Sequence, residues 1–285
     1  MKRLSVLTSL CGLLLATTAW AAPVVATFEA AGANAAAITT ARDAFRVAVG
    51  GGTVAGANGS FGGLRREINW DGVPDTFADP NALPANFFNV NSPRGVVFGT
   101  PGTGFRVSAN SGLATPVLFG FPSDLQTFSA QRLFTAVASN ITDVSFFLPG
   151  TTTAATTNAF GLVFVDVEVA ASTRLQFFDE NNALFYTRDA LVAGNQGLSF
   201  VGGTVSGGAI SRVRITSGVN TFVSNGVLGN LTDDFVVMDD FLYAEPLQRS
   251  MQPIPEPSSV VLTGLGLIGV LAVMRRRRSA TGHAV

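Results

Sequence analysis

The chain has 285 residues, 47% hydrophobic and 13% charged, and this composition excludes intrinsic disorder because so much apolar surface must be buried. Lys2, Cys11 and His283 are the only residues of their kinds, so residues 23–253 can form no disulfide, histidine-activated nucleophile, Schiff base or imidazole–thiolate zinc site. The same stretch carries 12 arginines against 18 acidic residues, and its net charge of −6 repels phosphate backbones, so we expect no nucleic-acid partner.

Residues 1–21 are predicted to be a secretory signal peptide. Lys2 and Arg3 precede an apolar stretch, and the small residues Ala19 and Ala21 provide a site that signal peptidase can cleave after Ala21. The alternative is an uncleaved membrane anchor, for which the apolar stretch is short. We therefore expect signal peptidase to process the chain during export.

Residues 33–49 predict one N-terminal helix in the exported body, residues 22–250. The segment is rich in alanine, and three apolar residues at helical spacing precede a run of three glycines. Residues 50–93 then predict a long irregular region with many glycines and four prolines. A loop of this length inside a compact domain is usually functional or mobile.

The rest of the body predicts short strands separated by turn residues. Alternation is clear in residues 212–215, where Arg212 and Arg214 share one face and two apolar residues share the other. Residues 179–182 predict a hairpin turn, since Asp and Asn tolerate left-handed conformations. Such a pattern is typical of an antiparallel β-sandwich or barrel. The clearest predicted strands are 141–148, 160–169, 174–179, 183–188, 210–216 and 234–243.

The C-terminal segment contains three signals in a fixed order. Pro255-Glu256-Pro257 precedes an apolar stretch, residues 258–274, which is followed by Arg275, Arg276, Arg277 and Arg278. As a helix, the apolar stretch rises about 25 Å, which is marginally enough for a hydrocarbon core of about 30 Å. The arginines would stay in the cytoplasm with the tail, residues 279–285, and the body would lie on the far side of the membrane.

Residues 251–278 thus resemble the PEP-CTERM sorting signal of Gram-negative bacteria. The resemblance implies recognition by an exosortase and cleavage near residues 255–257. It further implies transient anchoring in the inner membrane, followed by release to the cell surface or its exopolysaccharide. A plain stop-transfer anchor is the alternative. The tail extends past the arginines, where many such signals end.

Several runs in the body carry a second resemblance: residues 160–164, 175–179, 212–215 and 237–241. They are similar to the jelly-roll sandwiches of galactose-binding-like domains. The predicted fold is therefore mostly β, a jelly-roll-like antiparallel sandwich with one N-terminal helix and a C-terminal transmembrane helix. In the resembling fold the first and last strands lie side by side, which implies that residues 28–29 pair with residues 238–241.

A dense set of carboxylates near the end of the body suggests a cation site. Glu29 would join this set if the two terminal strands pair, and Ca²⁺ prefers such oxygen ligands. Galactose-binding-like sandwiches often hold a structural calcium, so Glu29, Asp239 and Asp240 are its candidate ligands. The alternative is that these side chains are solvated or paired with Arg212 and Arg214. The four neighbouring carboxylates are Asp233, Asp234, Asp239 and Asp240.

Other acidic residues allow two further hypotheses. The first is a noncanonical calcium loop in the irregular region; its spacing of four, four and two excludes an EF-hand, and turn contacts are the alternative use. The second is glycoside hydrolysis by a carboxylate pair, for which Glu67 with Asp71 and Asp166 with Glu168 have suitable spacing. The loop candidates are Asp71, Asp75, Asp79 and Asn81.

Trp70 is the candidate glycan-binding residue. It is the only tryptophan of the body, and the polar residues beside it could bind sugar hydroxyls. The alternative is that Trp70 is buried as an anchor for the irregular region. We therefore expect an exported, non-enzymatic protein of the cell surface or extracellular matrix, with polysaccharide as its candidate ligand. The alternatives are a carboxylate-based glycan hydrolase and a purely structural or adhesive matrix component.

Overall fold

The computed structural model describes residues 22–54, 64–109, 117–224, 226–230 and 233–248. The signal cleavage site, the sorting motif, the predicted transmembrane helix and the tail lie outside these residues. Within the described part of the chain, no helix is both long enough and apolar enough to span a bilayer. The described residues all belong to one unit, Met1–Gln248.

Strands dominate the described residues. The helices are α1 (Ala35–Val49) and the single turn α2 (Phe87–Val90). The strands are β1 (Val24–Gly32), β2 (Arg65–Ile68), β3 (Val96–Gly99), β4 (Gly104–Val107), β5 (Phe134–Val137), β6 (Ile141–Phe146), β7 (Ala159–Val165), β8 (Arg174–Phe178), β9 (Leu184–Asp189), β10 (Leu198–Ser206), β11 (Arg212–Thr216), β12 (Phe222–Ser224), β13 (Val227–Leu228) and β14 (Val237–Ala244).

These strands form two sheets. The larger sheet has the order β1-β10-β7-β14-β5-β12-β13, with β2 also paired to β14 and β4 to β5. The smaller sheet has the order β3-β6-β11-β8-β9. Among the described pairs all are antiparallel except β12 with β5. The mostly-β prediction with two sheets is confirmed, whereas the galactose-binding-like resemblance stays a prediction.

Two apolar cores hold the layers together. The first lies between the sheets and contains residues from both, such as Phe160 of β7 and Val213 of β11. The second covers the outer face of the larger sheet, where Ile38 and Phe45 of α1 pack against it. Every residue of β7 and β14 is therefore buried, because these strands are covered on both faces. This burial explains their nearly continuous apolar sequences.

Local signals explain the predicted helix and hairpin, and both are confirmed. The Asn34 side chain accepts a hydrogen bond from Ala37 N at the start of α1, and α1 ends at Gly50, whose φ is 110°. In the turn between β8 and β9, Asp179 Oδ1 accepts bonds from two backbone amides, and Asn182 has a φ of 60°. Asparagine tolerates this left-handed conformation.

Two predictions about topology are wrong. Residues 50–93 are not irregular throughout, because they contain β2, which pairs with residues 241–244 of β14. The terminal strands do not pair either: β1 pairs with β10, where Glu29 lies opposite Val201. The physical reason is that both edges of β14 are already occupied, by β7 on one side and by β2 and β5 on the other.

Candidate functional site

Three acidic residues from distant parts of the sequence meet at the junction of β7 and β14. Asp166 and Glu168 follow the end of β7, and Asp234 precedes the start of β14. The two strands are antiparallel, with Val165 opposite Val237, so these segments lie side by side. One carboxylate oxygen from each residue lies within 4.8 Å of the other two. We call Asp166, Glu168 and Asp234 the acidic trio.

Backbone groups position the acidic trio. Asp166 has a φ of 72°, and its Oδ1 accepts a hydrogen bond of 2.8 Å from Gln196 N. Oδ2 of Asp234 accepts bonds from Val169 N and from Ser172 Oγ, each at 3.2 Å. A longer bond of 3.4 Å comes from Glu168 N. Both buried carboxylates are therefore held in place by groups that carry no net charge.

The acidic trio has no neutralising partner among the described residues. The pKa of Asp166 is raised to about 7, chiefly by burial and also by the negative charges of Glu168, Asp234 and Asp124. Burial also raises the pKa of Asp234. Oδ1 of Asp234 is buried and accepts no hydrogen bond from the residues that the structure describes. This arrangement favours a proton or a cation between the carboxylates.

The structure does not bring the predicted calcium ligands together. Glu29 forms an ion pair with Arg188 and is separated from β14 by β10 and β7. Asp239 and Asp240 are buried, and Ser129 Oγ donates to both of them, at 3.1 and 2.7 Å. The predicted set of Glu29, Asp239 and Asp240 is therefore wrong as a single site, because its basis was the pairing of β1 with β14.

Asp239 and Asp240 form a coupled carboxyl pair with raised pKa values. Burial raises the pKa of both, and it reaches about 6 for Asp240. The negative charge of Asp240 also raises the pKa of Asp239, so the pair favours uptake of one proton. The folded chain therefore holds protons here more tightly than the unfolded chain does.

We expect Asp240→Asn to stabilise the protein at pH 7 by about 1 to 2 kcal/mol, since one pKa unit corresponds to about 1.4 kcal/mol. The asparagine keeps the oxygen that binds Ser129 and removes a buried charge. In the parent chain, the contribution of this pair is fully present below about pH 4 and is lost as pH rises through about 6. Urea unfolding of both chains from pH 4 to 7 measures the difference, which should grow with pH. A difference that is constant over this range would contradict the assignment.

Trp70 is buried, not exposed as a platform. Its side chain is 1% exposed, its ring stacks on Phe134 at 4.1 Å, and its Nε1 donates to Asp239 O at 2.9 Å. The expectation of a surface sugar platform is therefore wrong, and the alternative of a buried anchor is confirmed. A pocket of about 130 Å³ lies beside the ring. This volume is smaller than the roughly 300 to 1,000 Å³ of typical small-molecule sites.

The other predicted acidic residues serve separate structural contacts. Glu67 is buried between Arg46 and Arg65. Asp71 accepts hydrogen bonds from the amides of residues 131 and 132, so it does not face Glu67 as a catalytic partner. Asp75 pairs with Arg132 and Asp79 with Arg106. Asn81 donates to Asp75 O at 3.2 Å. The predicted calcium loop is thus not assembled around one point.

Arg212 and Arg214 share one face of β11, as predicted, and they have an acidic partner that sequence reasoning missed. Arg212 and Arg214 lie on the outer face of the smaller sheet, and both pair with Asp143 of β6, at 2.7 Å. Neither contacts Asp239 or Asp240. The register places Asp143 directly opposite Arg214. Alternation within β6 could have indicated the orientation of Asp143, but the pairing of β6 with β11 is a tertiary property.

Residues 253–278 match the family model of the PEP-CTERM protein-sorting motif. The match includes the Pro255-Glu256-Pro257 run and the four arginines at residues 275–278. It supports the predicted sorting signal and implies an exported protein that an exosortase recognises and that is anchored in the membrane before release. No curated protein matches the chain.

Proposed function

We propose that the chain is a non-enzymatic protein of the cell surface or extracellular matrix that binds acidic polysaccharide after exosortase-dependent sorting. The sorting motif supports the location. The observation that carries the binding proposal is the outer face of the smaller sheet, formed by β6, β11 and β8. In contrast to the outer face of the larger sheet, against which α1 packs, this face carries half-exposed side chains along all three strands. We call it the arginine face.

The arginine face carries an excess of positive charge in an otherwise acidic body. The two guanidinium groups of Arg212 and Arg214 share the single carboxylate of Asp143. The side chain of Arg214 remains 40% exposed. An arginine presents several donors in a fixed fork that matches a carboxylate. The exposed edges of the Arg212 and Arg214 guanidinium groups therefore suit the carboxylate of a uronic acid in a polysaccharide.

An aromatic ring lies beside these arginines. Cζ of Arg212 lies 3.8 Å from the ring centre of Phe178, which is half-buried on β8. The ring supplies an apolar surface for the carbon face of a sugar, and the cation contact fixes its position. Nearby Gln176 adds an amide on the same face, opposite Arg214. A flat surface with donors, acceptors and a ring fits an extended chain of sugars.

The burial of the candidate catalytic carboxylates supports the non-enzymatic part of the proposal. A glycosidase needs both carboxyl groups at the scissile bond. Glu67 is 2% exposed and neutralised by two arginines, and Asp166 is 3% exposed. Neither residue can reach a sugar ring without rearrangement. The body also contains no lysine, cysteine or histidine to provide other nucleophiles or bases.

The double variant Arg212→Gln plus Arg214→Gln is expected to weaken binding to acidic polysaccharide at least tenfold. Gel-retardation of the full chain in detergent, with the polysaccharide of the producing cells and with alginate as the defined acidic probe, measures this. Because the interaction is ionic, binding should also weaken between 50 and 500 mM salt, roughly the range in which screening lengths fall below 10 Å.

Arg188→Gln is the matched control, because it removes an exposed arginine that points to Glu29 at the sheet edge. This control should bind alginate as the parent chain does. Neutral dextran should bind neither protein. Equal loss in the control, or unchanged binding in the double variant, would show that the arginine face is not the binding surface.

A further inference from the structure

We propose that the acidic trio, Asp166, Glu168 and Asp234, binds a calcium ion at the junction of β7 and β14. This site is separate from the arginine face, and the proposal does not depend on polysaccharide binding. It also differs from the calcium site expected from the sequence, whose candidate ligands were Glu29, Asp239 and Asp240.

The distances fit one ion. The three ligand oxygens lie within 4.8 Å of one another. Oxygens that bind the same Ca²⁺ at about 2.3 to 2.6 Å are at most roughly 5 Å apart. The trio therefore needs no large backbone movement to place one oxygen from each residue around a common centre.

One carboxylate of this cluster has an unsatisfied buried oxygen. Asp234 is 6% exposed, and its Oδ2 accepts bonds from Val169 N, Ser172 Oγ and Glu168 N. Oδ1, the other oxygen of the same carboxylate, is buried and has no hydrogen-bond partner in the described parts of the chain. Leaving a charged acceptor without a partner is costly. The fixed Oδ2 makes Oδ1 the oxygen available to a cation.

The charge balance of the trio differs from that of several other carboxylates in the described residues. Glu67, Asp143 and Glu245 each have an arginine within ion-pair distance. Within the described part of the chain, the trio forms no ion pair, and Asp124 adds a fourth negative charge nearby. Like charges at this spacing need a counter-charge. A divalent cation provides one where no arginine does.

The chemistry of the donors favours calcium. All three ligands are carboxylate oxygens, the donors that suit hard cations such as Ca²⁺, Mg²⁺ and Mn²⁺. Asp166 and Asp234 are buried, whereas Glu168 is exposed, so water can complete the coordination. Ca²⁺ accepts six to eight oxygen ligands in irregular arrangements, while Mg²⁺ demands a nearly ideal octahedron. Asp166 and Glu168 come from one loop and Asp234 from a distant segment, and such an arrangement fits the less regular coordination of Ca²⁺.

Calorimetric titration of the full chain in detergent with CaCl₂ alone tests this proposal. We expect saturable binding that Glu168→Gln weakens at least tenfold. Because Glu168 is exposed, this variant should keep the fold, as circular dichroism can check. Asp234→Asn, which retains Oδ1 as a neutral oxygen, should weaken binding as well. Chelation by EDTA should lower the melting temperature of the parent chain and leave that of Glu168→Gln nearly unchanged.

Glu180→Gln is the matched control, since it removes one exposed carboxylate in the β8–β9 turn. The control should bind calcium like the parent. The proposal is overturned if the parent shows no calcium binding. It is also overturned if Glu168→Gln binds calcium as tightly as the control, or if MgCl₂ binds as tightly as CaCl₂. Failure here would leave the alginate result unaffected, because the two sites share no residue.

Discussion

Replacing Trp70 with alanine is expected to lower the free energy of unfolding by about 3 to 5 kcal/mol, the range for truncating a large buried aromatic side chain. The ring contacts four phenylalanines between the two sheets: Phe88, Phe98, Phe134 and Phe241. The change leaves a cavity among these rings and removes the bond to Asp239 O. Urea unfolding followed by circular dichroism measures the loss.

Trp70→Phe separates the two contributions. Phenylalanine keeps most of the stacking on Phe134 but cannot donate to Asp239 O, so a smaller loss of roughly 1 to 3 kcal/mol is expected. Alginate binding should not change in this variant, because Trp70 is buried between the sheets and does not belong to the arginine face. If Trp70→Ala kept the stability of the parent and lost polysaccharide binding, the surface platform would be the correct interpretation after all.

Much of the fold could be predicted from local patterns. In β11, apolar and polar residues alternate, and the structure buries Val213 and Ile215 while leaving the arginines half-exposed. In α1, asparagine at the start and glycine at the end mark the limits of the helix. Both signals act within a few residues, so they are readable without knowledge of the tertiary structure.

The strand β2 could not be predicted in the same way. Its four residues are Arg65, Arg66, Glu67 and Ile68, three of which are charged, yet Arg65 and Glu67 are buried. They are buried because they neutralise each other and because Arg46 of α1 completes the network. Only tertiary contacts make such a sequence a buried strand, and β2 occupies part of the edge of β14 at which a terminal strand was expected.

The acidic trio shows the same limit. Asp166 and Glu168 were recognisable as a pair, and Asp234 as part of an acidic run, but 66 residues separate Asp234 from Glu168. Their meeting depends on the pairing of β7 with β14. The sequence run also contains Asp239 and Asp240, which the strand directs into a buried carboxyl pair instead. Proximity in sequence was therefore a poor guide to which carboxylates share a site.

Glu67→Gln is expected to destabilise the protein by about 3 to 5 kcal/mol, the cost of breaking a buried ion pair from one side. Glu67 accepts bonds from Arg65 Nε at 2.6 Å, and from Nε and Nη2 of Arg46 at 3.0 and 2.6 Å. Arg65 also donates to the carbonyls of Arg46 and Gly50 at the end of α1. Without the carboxylate, the buried guanidinium groups of Arg65 and Arg46 lose the charge they share, although Arg46 keeps its ion pair with Asp43. The attachment of α1 to β2 therefore weakens.

Glu29→Gln provides the matched control for this prediction. The same substitution removes a carboxylate that Arg188 also binds through two nitrogens, but here the side chain of the arginine is 45% exposed. Solvent can replace the lost contact, so the cost should stay within about 1 kcal/mol. Urea unfolding of both variants gives the comparison. A loss for Glu67→Gln as small as that for Glu29→Gln would mean that the network at β2 is solvated, and Glu67 would again be a candidate for chemistry.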